Sequence, residues 1–281
     1  MIDEKWSQTQ TRRFKELGIN PDHIQANFST PEEKNKLFQQ IEKKQVKTQM
    51  EKLAHLLIQN GKTQLQILKE RLRQTLHQQG FTEVSTPTII TKQALKKMTI
   101  DEDHPLIKQV FWLNEKQCLR PMLAPNLYSL MVDFSRSNLR PIRFFEIGSC
   151  FRKKSSGARH SNEFLMLNLV EMGLPEQDRQ ERLKSLAEII MKAASIEDYS
   201  FEQEDSKVYG STLDVVAGND HIEVASCAMG PHPLDAAWGI NDTWVGMGFG
   251  LERLLMTSKG DTSIGKWAKS LSYLDGICLN I

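Results

Sequence analysis

Glycine at every second residue, followed at once by a glutamate–arginine pair, is the most chemically suggestive run in this sequence. It reads Gly246-Met247-Gly248-Phe249-Gly250-Leu251-Glu252-Arg253. A strand with alternate glycines has one bare face, so a flat or bulky group can approach its backbone closely. Arg253, one turn into a following helix, would reach over that face. A guanidinium can stack on an aromatic ring while its charge meets a phosphate. The same spacing also fits a tightly packed strand beneath a helix with Arg253 on the surface. A second run is Cys150-Phe151-Arg152, then a polar loop, then Phe164. An arginine at a strand end, with an aromatic on the returning strand, makes a clamp. Arg152 would hold an α-phosphate, where charge develops during transfer, and Phe164 would offer a face to adenine. Taken alone, Phe164 reads equally well as a core phenylalanine.

These residues need a sheet to hold them. Ile142 to Ile147 and Phe164 to Glu171 read as two strands joined across the loop 153–163, and His221 to Ser226 reads as another. The run from Trp244 to Gly250 reads as a strand feeding a helix that begins near Leu251. Phe81 to Pro87 alternates and is stopped by proline, a further strand. Helices are expected over about 31–58, where Pro31-Glu32-Glu33 sits at the start, and over about 62–79. In the latter, Leu65, Leu68, Leu72 and Leu76 share a face, and Gly80 suits the position that ends it. Another amphipathic helix is expected over 175–195. Hairpin-linked strands with segregated helices predict an α+β fold built on an antiparallel sheet. Residues 1–60 read as a helical extension and 61–281 as the main domain.

Composition sets broad limits. The chain has 281 residues, 40% hydrophobic and 25% charged, which is ordinary for a globular protein. No apolar run approaches the ~20 residues needed to span a bilayer, and the N-terminus lacks the apolar core of a signal peptide, so a cytoplasmic location is expected. Cys118, Cys150, Cys227 and Cys278 lie far apart with no C-x-x-C pair, which argues against a structural zinc site and for buried thiols. The net charge is only +1, but residues 1–100 carry +7 and the remainder −6. A basic first third is compatible with contacts to nucleic-acid phosphates, and equally with a solvated helix face.

The three segments together are more specific than any one of them. Phe81 to Pro87 resembles the strand of motif 1 of the class II aminoacyl-tRNA synthetases. Phe151-Arg152 through Phe164 resembles motif 2, and Gly246 to Arg253 resembles motif 3, in the family's order. Further runs narrow the likeness: Cys118-Leu-Arg-Pro-Met-Leu-Ala-Pro-Asn-Leu-Tyr128, Phe145-Glu-Ile-Gly148, Met166-Leu-Asn168, Val208-Tyr209-Gly210, Gly230-Pro231 and Ser270 to Gly276. On these the chain resembles the pyrrolysyl-tRNA synthetase family, clearly over about residues 50–281 and more loosely before that.

The resemblance implies a class II antiparallel sheet flanked by helices, a homodimer, and two-step chemistry on ATP and an amino acid. It implies that Arg152 contacts the α-phosphate, that Arg253 stacks on adenine opposite Phe164 and meets the γ-phosphate, and that His160 approaches the phosphates from the motif 2 loop. Gly248 and Gly250 would leave room for the nucleotide. Glu223 and Ser226 match the positions that hold Mg²⁺. Three residues apart on a flat strand they would not share a face, so a bend or bulge is implied. An oxygen-only pair suits Mg²⁺, which takes its other ligands from phosphate and water. The amino-acid pocket would draw on Ala124, Leu127, Tyr128, Met131, Asn168, Val170, Ala228 and Trp244, with Tyr209 on a mobile loop closing over it. That set holds one side-chain amide and no carboxylate. A free lysine ammonium would be buried without a partner there. A lysine whose ε-nitrogen is capped as an amide would fit, its carbonyl accepting from Asn168, which is the physical case for pyrrolysine.

The chain departs from the family at one position. Motif 2 carries a glutamate two residues after its arginine, and here Lys154 stands there. A lysine cannot accept the hydrogen bond that the glutamate takes from the adenine amino group. The implied partner is a tRNA with a CUA anticodon, with the basic face of residues 34–73 as a candidate contact. Long forms of the family carry an added N-terminal tRNA-binding domain; none is expected within these 281 residues, so that domain is expected to be either a separate polypeptide or absent. Two other readings stay open at this point: a class II synthetase for another amino acid, and a synthetase-like protein that binds tRNA without catalysis.

Overall fold

The computed structural model describes residues 6–25, 28–58, 61–137, 139–153, 161–206, 208–218 and 220–281. The chain forms two compact units, Met1–Thr63 with Ser270–Ile281, and Gln64–Lys269. The expected boundary lay near residue 60 with all of 61–281 as one domain. The units instead divide at 63, and the last twelve residues group with the first unit.

In the smaller unit, α1 (Gln8–Glu16) begins with a capping box in which Ser7 and Gln10 each satisfy the other's backbone N–H. Its buried Phe14 meets the edge of Trp6 at 5.0 Å. The long helix α2 (Pro31–Ile58) buries only Gln49 among its residues. That amide is used twice: Gln49 Nε2 donates to the Leu17 carbonyl at 3.4 Å, and its oxygen accepts from the Cys278 N–H at 3.1 Å. The terminal hairpin, Tyr273–Leu274 paired with Ile277–Cys278, is fastened again where Tyr273 donates to the Glu16 carbonyl.

The larger unit opens with α3 (Gln64–Gln78), which buries Leu68, Leu72 and Leu76 at the expected spacing. Gly80 then takes φ +78, the left-handed turn that a residue with a Cβ adopts reluctantly. β1 (Thr82–Glu83) follows, then β2 (Ile89–Thr91), α4 (Lys92–Lys97), β3 (Gln117–Leu119) and α5 (Ala124–Ser135). The long antiparallel strands are β4 (Ile142–Phe151) and β5 (Glu163–Met172). After α6 (Arg179–Ala193) come β6 (Tyr199–Ser206), β7 (Gly210–Ala217), β8 (Ile222–Gly230), the one-turn α7 (Asp235–Trp238), β9 (Trp244–Gly250) and α8 (Leu251–Ser258).

Seven strands form one sheet in the order β1-β4-β5-β9-β8-β7-β6. Every neighbouring pair is antiparallel except β1 with β4. This is the expected α+β architecture. One face packs against α3, α6 and α8 in a core that includes Leu72, Leu76, Leu186, Ile190 and Phe249. The other packs against α4, α5 and α7.

One expectation is corrected and one element is new. Only Thr82–Glu83 pair as a strand in the segment 81–87. Thr86 instead gives its backbone N–H and its hydroxyl to the Glu146 carboxylate, at 3.2 and 2.6 Å, which draws the chain off the sheet edge. The hairpin β6–β7 is an addition. Its first strand carries Glu202, Glu204 and Asp205, types depleted in strands, on an exposed edge.

Candidate active site

Strand alternation sorts the residues of β5, β9 and β8 between the two faces of the sheet. Leu165, Leu167, Leu169, Val245, Met247, Phe249, Ala225 and Cys227 go to the helix-covered core. Their neighbours face a cavity of about 580 Å³. The pairing registers turn these neighbours into rows across the sheet. Glu146, Asn168, Gly248, Ser226 and Asp214 form one row, and Phe144, Val170, Gly246 and Ala228 form the next. The glycines of β9 are the bare strip along the middle. A Cβ on Gly248 would stand 3.1 Å from the Asn168 amide and 3.2 Å from Met166 Cε, so side chains from the adjacent strand already lean over that strip.

The bulge required by the 223/226 spacing is present. Val215 pairs with Ala225 but Val216 pairs with Glu223, leaving Val224 as the extra residue of β8. Glu223 and Ser226 consequently both line the cavity.

One end of the cavity is charged. Arg152 leaves β4 just beyond its last strand residue; its Nε donates to the Pro121 carbonyl at 2.8 Å and its guanidinium lies 5.4 Å from the Phe164 ring centre. Arg253, three residues into α8, donates to the Glu223 carbonyl at 2.9 Å and stands 3.4 Å from that residue's carboxylate. Burial, with the Arg253 charge acting in the same direction, holds the Arg152 guanidinium below the usual arginine range. Two guanidiniums with fixed backbone anchors and few acid partners form an anion site. Gly250 and Gly248 complete its lining. His160 and Lys154 lie outside the described residues.

The other end is mostly apolar. Ala124, Leu127 and Tyr128 come from α5, Asn168 and Val170 from β5, Ala228 from β8, Trp244 from β9, and Tyr209 from the β6–β7 turn; all line the cavity. Met131 does not: it is buried one turn further along α5. The Tyr128 hydroxyl and Asn168 Oδ1 are buried without partners. Burial raises the Tyr128 and Tyr209 phenols above the ordinary range, reinforced at Tyr128 by Tyr209 and Asp235 and at Tyr209 by Asp235. The carboxylates that do line the cavity, Glu223 and Glu252, are not in this set.

Several residues of this region were not singled out from the sequence. Glu252 is 2% exposed and accepts the Leu165 N–H with both oxygens, at 2.9 and 3.0 Å. The β5–β9 pairing stops at Met166 and Gly250, so Leu165 is the first residue beyond it, and the carboxylate continues the ladder there. Burial pushes the Glu252 carboxyl up to about 7. Arg120 and Glu146 form a buried ion pair at 2.8 Å beneath Gly148, where a Cβ would come within 2.2 Å of the guanidinium. His104 lines the cavity with Nε2 buried and unpartnered. Asp235 sits behind Trp244 and accepts its indole N–H at 3.0 Å. The acid next to Arg253 was visible in the sequence as part of its helix start; the other contacts join distant segments and leave no local signal. All four cysteines are buried, as expected.

Residues 51–226 match the family of the phenylalanyl-tRNA synthetase beta chain CLM domain. A crystal structure of pyrrolysyl-tRNA synthetase from Desulfitobacterium hafniense is 50% identical, covers 98% of each chain and has a TM-score of 0.89. Giardia lamblia prolyl-tRNA synthetase in complex with prolyl-adenylate is 14% identical over 69% of this chain and 44% of its own, with a TM-score of 0.59, a likeness of fold alone. Among curated relatives, the threonine–tRNA ligase of Wolbachia sp. subsp. Brugia malayi is 31% identical over 108 residues, 36% of this chain; the match spans 17% of that protein's length. With a seven-stranded, mainly antiparallel sheet, motif 2 and motif 3 residues gathered on one of its faces, and half of all positions shared along nearly the whole chain, this protein belongs to the pyrrolysyl-tRNA synthetase family of class II aminoacyl-tRNA synthetases.

Proposed function

We propose that this chain ligates pyrrolysine, or a similar Nε-acylated lysine, to an amber-suppressor tRNA through an aminoacyl-adenylate. The observation that carries this reading is the two-ended cavity: an arginine–phenylalanine clamp at one end, and at the other an apolar chamber whose polar lining includes one side-chain amide, Asn168, and no carboxylate. Adenine lies between Phe164 and Arg253, and Arg152 meets the α-phosphate. The amino-acid carboxylate attacks the α-phosphorus and pyrophosphate leaves. A terminal hydroxyl of the tRNA then attacks the activated carbonyl and AMP leaves. No protein nucleophile is needed; alignment and charge stabilisation lower the barrier.

The donor set fits a hard cation. Glu223 and Ser226 offer oxygen only, and behind Ser226 the Asp214 Oδ1 is buried without a partner. Among the described residues no group of three His, Cys, Asp or Glu could hold a metal by itself. Such a pair suits Mg²⁺, which completes its shell from phosphate and water. When bound, the ion supplies positive charge to the phosphate oxygens.

At the apolar end Asn168 reads the capped ε-nitrogen, and the walls from α5, with Val170, Ala228 and Trp244, take the ring. Tyr209 closes over it. We extend the reading to a cytoplasmic homodimer acting on a tRNA with a CUA anticodon, with a separate N-terminal-domain polypeptide as a possible partner. Lys43, Lys44 and Lys47, all exposed on α2, are candidate phosphate contacts. No described helix is long and apolar enough to cross a membrane.

ATP–pyrophosphate exchange with pyrrolysine, lysine and phenylalanine side by side tests this function. Exchange driven by pyrrolysine is the expected result. Exchange driven only by phenylalanine would assign another amino acid, and none with any amino acid would reduce the chain to a tRNA-binding module.

A further inference from the structure

The amino-acid end of the cavity is bounded by two aromatic residues from separate parts of the chain, Trp244 at the start of β9 and Tyr209 in the β6–β7 turn. Both lead back to one carboxylate. Asp235, the first residue of α7, is 4% exposed and does not itself line the cavity. Its Oδ2 accepts from the Trp244 indole N–H at 3.0 Å and from the His232 backbone N–H at 2.7 Å. The His232 ring carries the link onward. Its Nδ1 lies 3.1 Å from the Leu234 backbone nitrogen, whose N–H donates to it, so Nδ1 holds no proton. The proton is on Nε2, which donates to the Tyr209 carbonyl at 2.7 Å.

The wall at Trp244 is also confined sterically. A Cβ on Gly230 would stand 1.8 Å from the indole nitrogen, so the ring lies directly on that backbone. Tyr128 meets the indole edge-on at 5.7 Å. With the indole plane held by packing, its N–H has one direction to point, and Asp235 is there. Within the turn that bears Tyr209, the Ser206 hydroxyl oxygen accepts from the Val208 and Tyr209 N–H groups at 3.2 Å each. The His232 bond is what ties that turn to the loop leading into α7.

We propose that Asp235 is a specificity-determining positioning residue that holds the Trp244 wall and, through His232, the Tyr209 turn as one unit around the side chain of the bound amino acid. This rests on the reading that the apolar end of the cavity receives that side chain. A residue that merely stabilised the fold would weaken both substrates together. A positioning residue at this end acts on the amino acid and leaves ATP, bound at Arg152 and Arg253, nearly untouched.

The test compares Asp235→Leu, Asp235→Asn and His232→Leu in pyrrolysine-dependent ATP–pyrophosphate exchange, with hydrogen exchange followed over residues 206–210. Asp235→Leu strands the buried Trp244 indole N–H and the half-buried His232 N–H, and the amino-acid KM is expected to rise about tenfold or more while the ATP KM stays within about twofold. Asp235→Asn keeps an oxygen that can accept both bonds and recovers most of the loss. His232→Leu raises the amino-acid KM by a smaller factor, about threefold. The 206–210 amides exchange faster in Asp235→Leu and His232→Leu than in Asp235→Asn. An amino-acid KM unchanged in folded Asp235→Leu, parallel rises in both KM values, or unaltered exchange over 206–210 would each overturn the proposal. If Asp235→Leu does not fold, His232→Leu and Trp244→Phe decide it by the same criteria. Wild-type protein without pyrrolysine-dependent exchange would instead refute the substrate reading, and the hydrogen-exchange comparison would still decide whether Asp235 governs the turn.

Discussion

The two ends of the cavity share the strands β5, β8 and β9 but treat polar groups in opposite ways. At the charged end, Arg152 and Arg253 are anchored to backbone carbonyls, and among the described residues the half-exposed Glu223 is the acid paired with them. That end has donors in surplus and is complementary to an anion. At the amino-acid end, Tyr128 and Asn168 each keep a buried polar atom unpartnered among apolar walls. That end is complementary to a mostly apolar group with a few fixed hydrogen-bonding atoms. On the proposed function, the first arrangement would serve nucleotide activation and the second would select which amino acid is activated.

Substitutions at the two ends should therefore separate in kind as well as in size. The largest effect is expected at the charged end. Arg152→Ala or Arg253→Ala should lower kcat/KM for pyrophosphate exchange by about 10²–10³-fold, the range for removing one donor to a developing oxyanion. Binding of the amino acid alone, followed by calorimetry, should change little. Equal losses at both substrates would erase the distinction between the ends.

Asn168→Ala should act on selection. The preference for pyrrolysine over lysine is expected to fall about tenfold or more, since a site that hydrogen-bonds its substrate owes much of its discrimination to that contact. Exchange driven by each amino acid measures the ratio, and an unchanged ratio would remove Asn168 from the recognition of the capped nitrogen. The Asp235 series described above is expected to give effects of similar size on KM without disturbing ATP.

The smallest effect concerns Glu252 and is one of stability. Its carboxyl is raised by burial to about 7 in the fold. Below the ordinary glutamate range it is neutral in both folded and unfolded chains. Between that range and about 7 the unfolded chain gives up the proton while the fold keeps it, so this group's contribution is lost as pH rises and the loss levels off above about 7. Glu252→Gln keeps an acceptor for the Leu165 N–H and has no proton to lose. In denaturant unfolding, wild type should lose ground to the variant from about pH 5 to about pH 7 and hold a constant difference above about pH 8. A difference independent of pH would contradict a carboxyl held neutral beside the motif strands.

Much of the charged end was legible in the sequence. Alternate glycines and an arginine at each strand-to-loop or strand-to-helix junction carry their geometry in their spacing, whereas the bend or bulge between Glu223 and Ser226 was implied only once the family likeness put both on one ion, and its place at Val224 was not. The amino-acid end was legible only through the family likeness, because Leu127, Val170 and Ala228 look like any core residues. Met131 shows the cost: it shares the helix of Leu127 and Tyr128 but sits behind them. The contacts of the carboxylates that hold the site together were missed for a different reason. Glu146 with Arg120, Glu252 with Leu165, and Asp235 with Trp244 are each matched by tertiary approach, and Asp235 reaches the indole only because a short helix folds it back. The hairpin β6–β7, which places Tyr209, was hidden by acids on an exposed strand, where solvent tolerates what a central strand would not.

The central claim is that the apolar end accepts a capped lysine and refuses a charged one. The most direct measurement is the ratio of kcat/KM for pyrrolysine to that for lysine in ATP–pyrophosphate exchange by the wild-type protein. A ratio of about 10³ or more is predicted, because the lysine ammonium would lose its water with no carboxylate to meet it. Comparable exchange with lysine would contradict the account.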